Sequence, residues 1–230
     1  MPAGKLVRLA AKRHLDDLKT GEARGLSFDV AASDKAIRFF TMLKHSKGQW
    51  AGSAFQLAPW QGFVIGSLFG WKNADGTRRF RVAYNEIPRK NGKSTLAAGL
   101  AILLAFFDGE PGAEVYCAAT KRDQAKIVFN EAKRMVQSTP GLSRRIQALV
   151  ANLNVAESDS KLEPLGADAD STDGLNPHGV VIDELHAHKS AALVDVLQSA
   201  SGARSQPMRF EITTAGHDRT SVCRKHHEYS

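Results

Sequence analysis

Residues 81–107, RVAYNEIPRKNGKSTLAAGLAILLAFF, read as an apolar strand, a polar turn and a helix opened by Gly92, Lys93 and Ser94. This layout suits a nucleotide phosphate cradle. A helix N-terminus presents unpaired backbone N–H groups and the positive end of the helix dipole. Lys93 adds a mobile positive charge for the outer phosphates, and Ser94 adds a hydroxyl for Mg2+. As a loop residue, Lys93 is expected to be exposed. The common pattern places a glycine five residues before Gly92, where this chain has Ile87, followed by Pro88, Arg89 and Lys90. On that pattern alone the turn could be a surface connection between strand and helix.

A second element favours the phosphate-binding reading. Residues 178–184, HGVVIDE, form a β-branched run closed by two carboxylates, as a buried parallel strand presents acids at its C-terminal end. Asp183 is then placed to hold the Mg2+ that Ser94 also ligates, and Glu184 to orient or deprotonate an attacking water.

The surrounding pattern predicts an α/β fold with a mainly parallel central sheet flanked by helices. Helical spacing marks residues 33–43, 60–68 (entered through Pro59), 121–137 and 191–200; strands are expected at 113–119 and 208–214. Residues 152–166 read as a hairpin and 167–177 as a loop. Residues 1–26, polar with a weak helical tract, read as an N-terminal arm ahead of one domain over 27–230. The chain is long enough for one substantial core, and its 43% hydrophobic and 24% charged content is ordinary for a soluble domain. The apolar run at 96–107 is too short for a membrane span, so no membrane association is expected.

The net charge of +7, from 31 basic and 24 acidic residues, suits a polyanion contacted through backbone phosphates as well as it suits a solvated surface. Several conspicuous residues have ordinary readings. His186 and His188 read as loop histidines, His226 and His227 as solvent-facing, and Trp50, Trp60 and Trp71 as core. Cys117 and Cys223 read as free thiols.

Four ordered motifs carry a family resemblance: FQLAPWQ at 55–61, PRKNGKS at 88–94, VIDELH at 181–186 and ITTAG at 212–216. Together they resemble the large terminase subunit of tailed bacteriophages and prophages, in which the missing first glycine and an arginine before the Gly-Lys pair are usual. The resemblance implies a P-loop NTPase of the additional-strand, catalytic-glutamate type that uses ATP and Mg2+ to drive double-stranded DNA into a preformed capsid. It implies that Gln61 recognises adenine, that Arg89, Asn91, Gly92, Lys93, Ser94 and Thr95 form the phosphate loop, and that Asp183 holds the metal. It further implies Glu184 as the catalytic glutamate and Thr213 and Thr214 as the coupling motif. Arg204, on the loop before that motif, is the candidate for an arginine acting on a neighbour's γ-phosphate. The implied partners are duplex DNA, a portal protein and a small terminase subunit, with a homo-oligomeric ring on assembly, a monomer in isolation, and the host cytoplasm as location. No nuclease activity is expected of this chain. The alternatives are a helicase-like translocating ATPase and a non-catalytic nucleotide-dependent DNA-binding scaffold.

Overall fold

A computed structural model of the chain describes residues 4–167, 174–188, 190–216, 218 and 221–229. Its elements in chain order are α1 (Lys5–Thr20), β1 (Ser27–Phe28), α2 (Val30–Met42), α3 (Pro59–Gly70), β2 (Trp71–Lys72), β3 (Val82–Glu86), α4 (Lys93–Phe106) and β4 (Glu114–Ala119). They continue with α5 (Arg122–Ser138), α6 (Pro140–Ser143), β5 (Gln147–Ala148), β6 (Leu153–Val155), β7 (Ser160–Gly166), β8 (Pro177–Asp183), α7 (Ala192–Ala200), β9 (Met208–Thr213) and α8 (Val222–Tyr229).

The central sheet has the order β3-β9-β8-β4-β7-β6-β5. The pairs from β3 through β7 are parallel, and β6 and β5 close one edge antiparallel. The expected hairpin at 152–166 is therefore β6–β7, and its second strand also pairs in parallel with β4. Strand β9 lies between β3, which leads to the phosphate loop, and β8, which ends in the acidic pair. That inserted strand is the arrangement expected of an additional-strand NTPase.

Both faces of the sheet are covered, and the alternation of side chains along each strand shows how. On β4, Val115 and Cys117 join the larger apolar cluster with α2, α3, α4 and α5, while Tyr116 and Ala118 join a smaller one with α7 and α8. Helix α4 is apolar nearly all round because it is buried between the sheet and α2. Gly99 permits that approach: a Cβ there would lie 2.5 Å from the ring of Phe40.

The N-terminal segment is a docked helix. Asp17 bonds Arg24 and Arg79, the latter at 2.5 Å, and His14 accepts the indole N–H of Trp71 at 3.0 Å. Trp71 is core as expected, and Trp60 packs at its edge, but Trp50 is 61% exposed because it sits on a short turn outside the core. Both cysteines are buried free thiols. Of the loop read at 167–177, residues 168–173 lie outside the described residues. Among the described residues, no helix is long and apolar enough to cross a membrane.

Candidate nucleotide site

At the end of β3 the chain turns through Lys90, in the left-handed region at φ 64°, and Gly92 at φ 71°, before α4 begins at Lys93. Gly92 is suited to this position by its backbone conformation. Its φ is one that L side chains avoid, while the space beside it, with Nε2 of Gln61 3.5 Å from where a Cβ would sit, would admit a side chain at ordinary contact distance. Asn91 braces the turn by donating from Nδ2 to the carbonyls of Pro88, at 3.3 Å, and Arg89, at 3.1 Å. The first turn of α4 carries no acidic residue, so its N–H groups and dipole are left for an anion.

Lys93 is not exposed, contrary to the expectation. Its side chain is 7% accessible because α4 is sunk into the core from its first residue, and its Nζ is buried without a hydrogen-bond partner. The nearest carboxylate oxygen is Oε1 of Glu184 at 3.7 Å. Ser94 donates from Oγ to Oδ2 of Asp183 at 3.4 Å, a loose contact between two hard oxygen groups. Burial raises the Asp183 carboxyl above its ordinary pKa, as does the adjacent Glu184 charge; the Glu184 N–H, Lys93 and Ser94 offset this in part. Glu184 leaves β8 in the left-handed region, at φ 53°, which aims its half-exposed carboxylate towards Lys93.

Gln61 is buried on α3, where its Oε1 accepts the N–H of Ala58 at 2.8 Å while its amide nitrogen neighbours Gly92. Arg89 is exposed on the loop, and Thr95 lies half-buried in the first turn of α4. Thr213 is fully buried at the end of β9: its hydroxyl donates to the carbonyl of Thr214 at 2.9 Å and accepts the backbone N–H of His186 at 3.1 Å. Gln61, the phosphate loop, Asp183 and Glu184 thus come together, while Thr213 and Thr214 adjoin them through His186.

Arg204 does not join this group. Its side chain is 12% exposed and bonds Glu110 at 2.9 Å and the carbonyls of Pro111, Gly112 and Asn176 at 3.2, 2.6 and 3.1 Å. These partners flank the starts of β4 and β8, the opposite end of the parallel strands from Asp183. Every face of the guanidinium fork is committed within the chain.

The histidines also depart from the sequence reading. His226 and His227 are not free at the surface: their Nδ1 atoms meet Glu211 of β9 at 2.6 Å and Glu86 of β3 at 3.0 Å, seating α8 on the sheet. His188 is 3% exposed, and burial lowers its pKa. His186 contacts both Glu184 and Thr213, a role that its place two residues after the acidic pair could have signalled. Among the described residues no group of three or more His, Cys, Asp or Glu is arranged to hold a metal ion.

The sequence model of the terminase large subunit, ATPase domain, matches residues 59–230. This chain belongs to that family. The terminase large subunit of Enterobacteria phage HK97 is 31% identical over 175 residues, covering 73% of this chain and 33% of that one. Protein YmfN of Escherichia coli K12 is 43% identical over 51 residues, 22% of this chain and 11% of its own. In structure, the terminase domain described here is similar to the HK97 large terminase, with a TM-score of 0.71 at 26% identity over 83% of this chain and 39% of that one. The Thermus phage P74-26 large terminase ATPase domain shares the fold, with a TM-score of 0.50 at 17% identity, covering 62% of this chain and 63% of that one. The chain spans about a third of the length of the HK97 subunit.

Proposed function

We propose that this terminase ATPase domain hydrolyses ATP and couples the reaction to movement of double-stranded DNA into a procapsid. The observation that carries the reading is the buried Lys93 ammonium without a hydrogen-bond partner, opposite Glu184 and at the start of a helix with no acid in its first turn. A cation held this way is costly unless an anion completes its surroundings. A polyphosphate supplies that anion.

The residues fit the substrate and its metal. The phosphate-loop N–H groups from Gly92 onwards and Lys93 bind the outer phosphates, and Arg89, exposed on the loop, reaches the same charge. Gln61 borders the loop as the candidate adenine contact. Ser94 and Asp183 provide the oxygen ligands that Mg2+ takes, and the ion when bound supplies charge neutralisation on the phosphates. Glu184 orients water for attack on the γ-phosphorus and accepts its proton as the bond to the bridging oxygen breaks and ADP departs. Duplex DNA, a portal protein and a small terminase subunit are the proposed partners, with subunits arranged as a ring in the host cytoplasm.

Phosphate release with ATP and Mg2+, measured with and without portal-bearing procapsids and duplex DNA, tests this reading. ATP-dependent protection of duplex DNA from added nuclease, without strand separation, is expected. Strand separation would favour a helicase-like ATPase, and nucleotide binding without turnover in the assembled system would favour a scaffold.

A further inference from the structure

The turn after Glu184 brings one imidazole nitrogen against both the proposed catalytic carboxylate and the end of β9. His186 Nδ1 lies 3.1 Å from Oε2 of Glu184, 2.9 Å from Oγ1 of Thr213 and 3.4 Å from Oγ1 of Thr214. We propose that His186 is a positioning residue, tying the Glu184 carboxylate to the Thr213–Thr214 strand end through one exchangeable Nδ1–H donor. This deepens the ATPase reading and rests on it.

The hydrogen-bond inventory assigns the proton. An ionised Glu184 only accepts. The Thr213 hydroxyl directs its own hydrogen to the carbonyl of Thr214 at 2.9 Å, so towards His186 it acts as an acceptor, already receiving the backbone N–H at 3.1 Å. Two oxygens that accept face Nδ1, the Thr213 hydroxyl in hydrogen-bond geometry and the Glu184 carboxylate beside it as an ion-pair contact, and both call for a hydrogen on Nδ1. One hydrogen cannot serve both fully. It either holds Glu184 back beside β9 or, when Glu184 turns to the attacking water, passes to Thr213.

Thr213 transmits the change because its other groups are committed. Its carbonyl accepts the N–H of Ile87 at 2.9 Å, directly before the phosphate loop, and its side chain is fully buried. Gly216 lets the chain beyond β9 pass close by, since a Cβ there would lie 3.2 Å from Cβ of His186. The carboxylate is thereby linked, through His186 and Thr213, to the C-terminal ends of both strands of the parallel pair β3–β9. A group with two discrete partners is the kind of element that can switch.

Two measurements test this. In wild-type chain, nitrogen NMR of the histidine rings should show His186 as the Nδ1–H tautomer, with its Nδ1 resonance moving when Mg2+ and the β,γ-imido analogue of ATP are added. An Nε2–H tautomer, or no change with bound analogue, overturns the proposal. In turnover assays His186→Ala should lower kcat by about 10²-fold with KM changed less than about twofold. His186→Asn, whose amide donates from nearly the same place, should recover about tenfold of that loss. A wild-type kcat in His186→Ala, or a loss that Asn does not relieve in a folded variant, overturns it. Wild-type chain that neither binds nor hydrolyses ATP sinks the ATPase reading and the proposal with it, whereas normal wild-type turnover with an indifferent His186 sinks the proposal alone.

Discussion

The Lys93 ammonium stands 3.7 Å from the Glu184 carboxylate with no hydrogen-bond partner of its own. It is therefore held at a cost in the nucleotide-free protein, and it also sits at the positive end of α4. Lys93→Ala should abolish ATP turnover while leaving the nucleotide-free melting temperature unchanged or higher. Mg2+ and ATP, which should stabilise the wild type by mass action, should no longer do so in the variant. Thermal melts with and without nucleotide, beside a phosphate-release assay, check the pair of outcomes. A lower nucleotide-free melting temperature would show that the Glu184 contact outweighs the burial of the charge.

Asp183 and Glu184 are adjacent but differently placed, and their variants should separate binding from chemistry. Asp183 is buried with Ser94, whereas Glu184 is half-exposed and faces Lys93. Glu184→Gln should keep the affinity for Mg2+ and ATP and lose turnover by about 10²-fold or more. Asp183→Ala should instead weaken Mg2+-dependent binding. Equilibrium titrations with the β,γ-imido analogue, at several Mg2+ concentrations, distinguish them; equal losses of affinity would reverse the assignment.

What could be read from the sequence was what lies close together in it. The strand, turn and helix around Pro88 to Ser94 are contiguous, and the apolar runs of β4 and β8 are local, so these elements were legible. Arg204 was not, because its partners Glu110, Pro111, Gly112 and Asn176 lie far from it in sequence and meet it only through strand order. Helix α8 was missed for a related reason. It buries only Val222 and Cys223, and its seating depends on Glu211 and Glu86 from two other elements. Strand β5 is two residues long and carries no periodicity to read.

Because Arg204 is bound within its own chain, its substitution should act on stability rather than across a subunit interface. Arg204→Ala leaves Glu110 without its cation and several carbonyls without a donor, and should destabilise the fold by about 2–4 kcal/mol. Denaturant unfolding measures the loss. Mixing Arg204→Ala with Glu184→Gln subunits should not restore hydrolysis beyond the sum of the two alone. Recovery of turnover in the mixture would return Arg204 to a neighbour's active site.

The buried cluster at the start of β8 predicts how the domain responds to acid. Arg78 donates from Nη1 to both oxygens of Asp108 at 2.6 Å, and His178 Nε2 lies 2.5 Å from the same carboxylate. Burial alone would raise the Asp108 carboxyl, but the His178 hydrogen bond and the Arg78 charge and hydrogen bond outweigh it and hold the group below its ordinary value of 3.8. A carboxyl depressed by folding contributes stability that is fully present above its unfolded pKa and is lost as pH falls through the folded one. The contribution should therefore be constant near neutrality and fade below about pH 4. Asp108→Ala removes the acid and strands Arg78, which is 1% exposed, and should cost about 3–5 kcal/mol at pH 7. Denaturant unfolding of both proteins at pH 7 and again at pH 3 gives the comparison: the gap between them should narrow in acid, as the unfolded wild-type chain takes up a proton that folded Asp108 resists. A gap of the same size at both values would mean that Asp108 contributes through packing rather than through its charge.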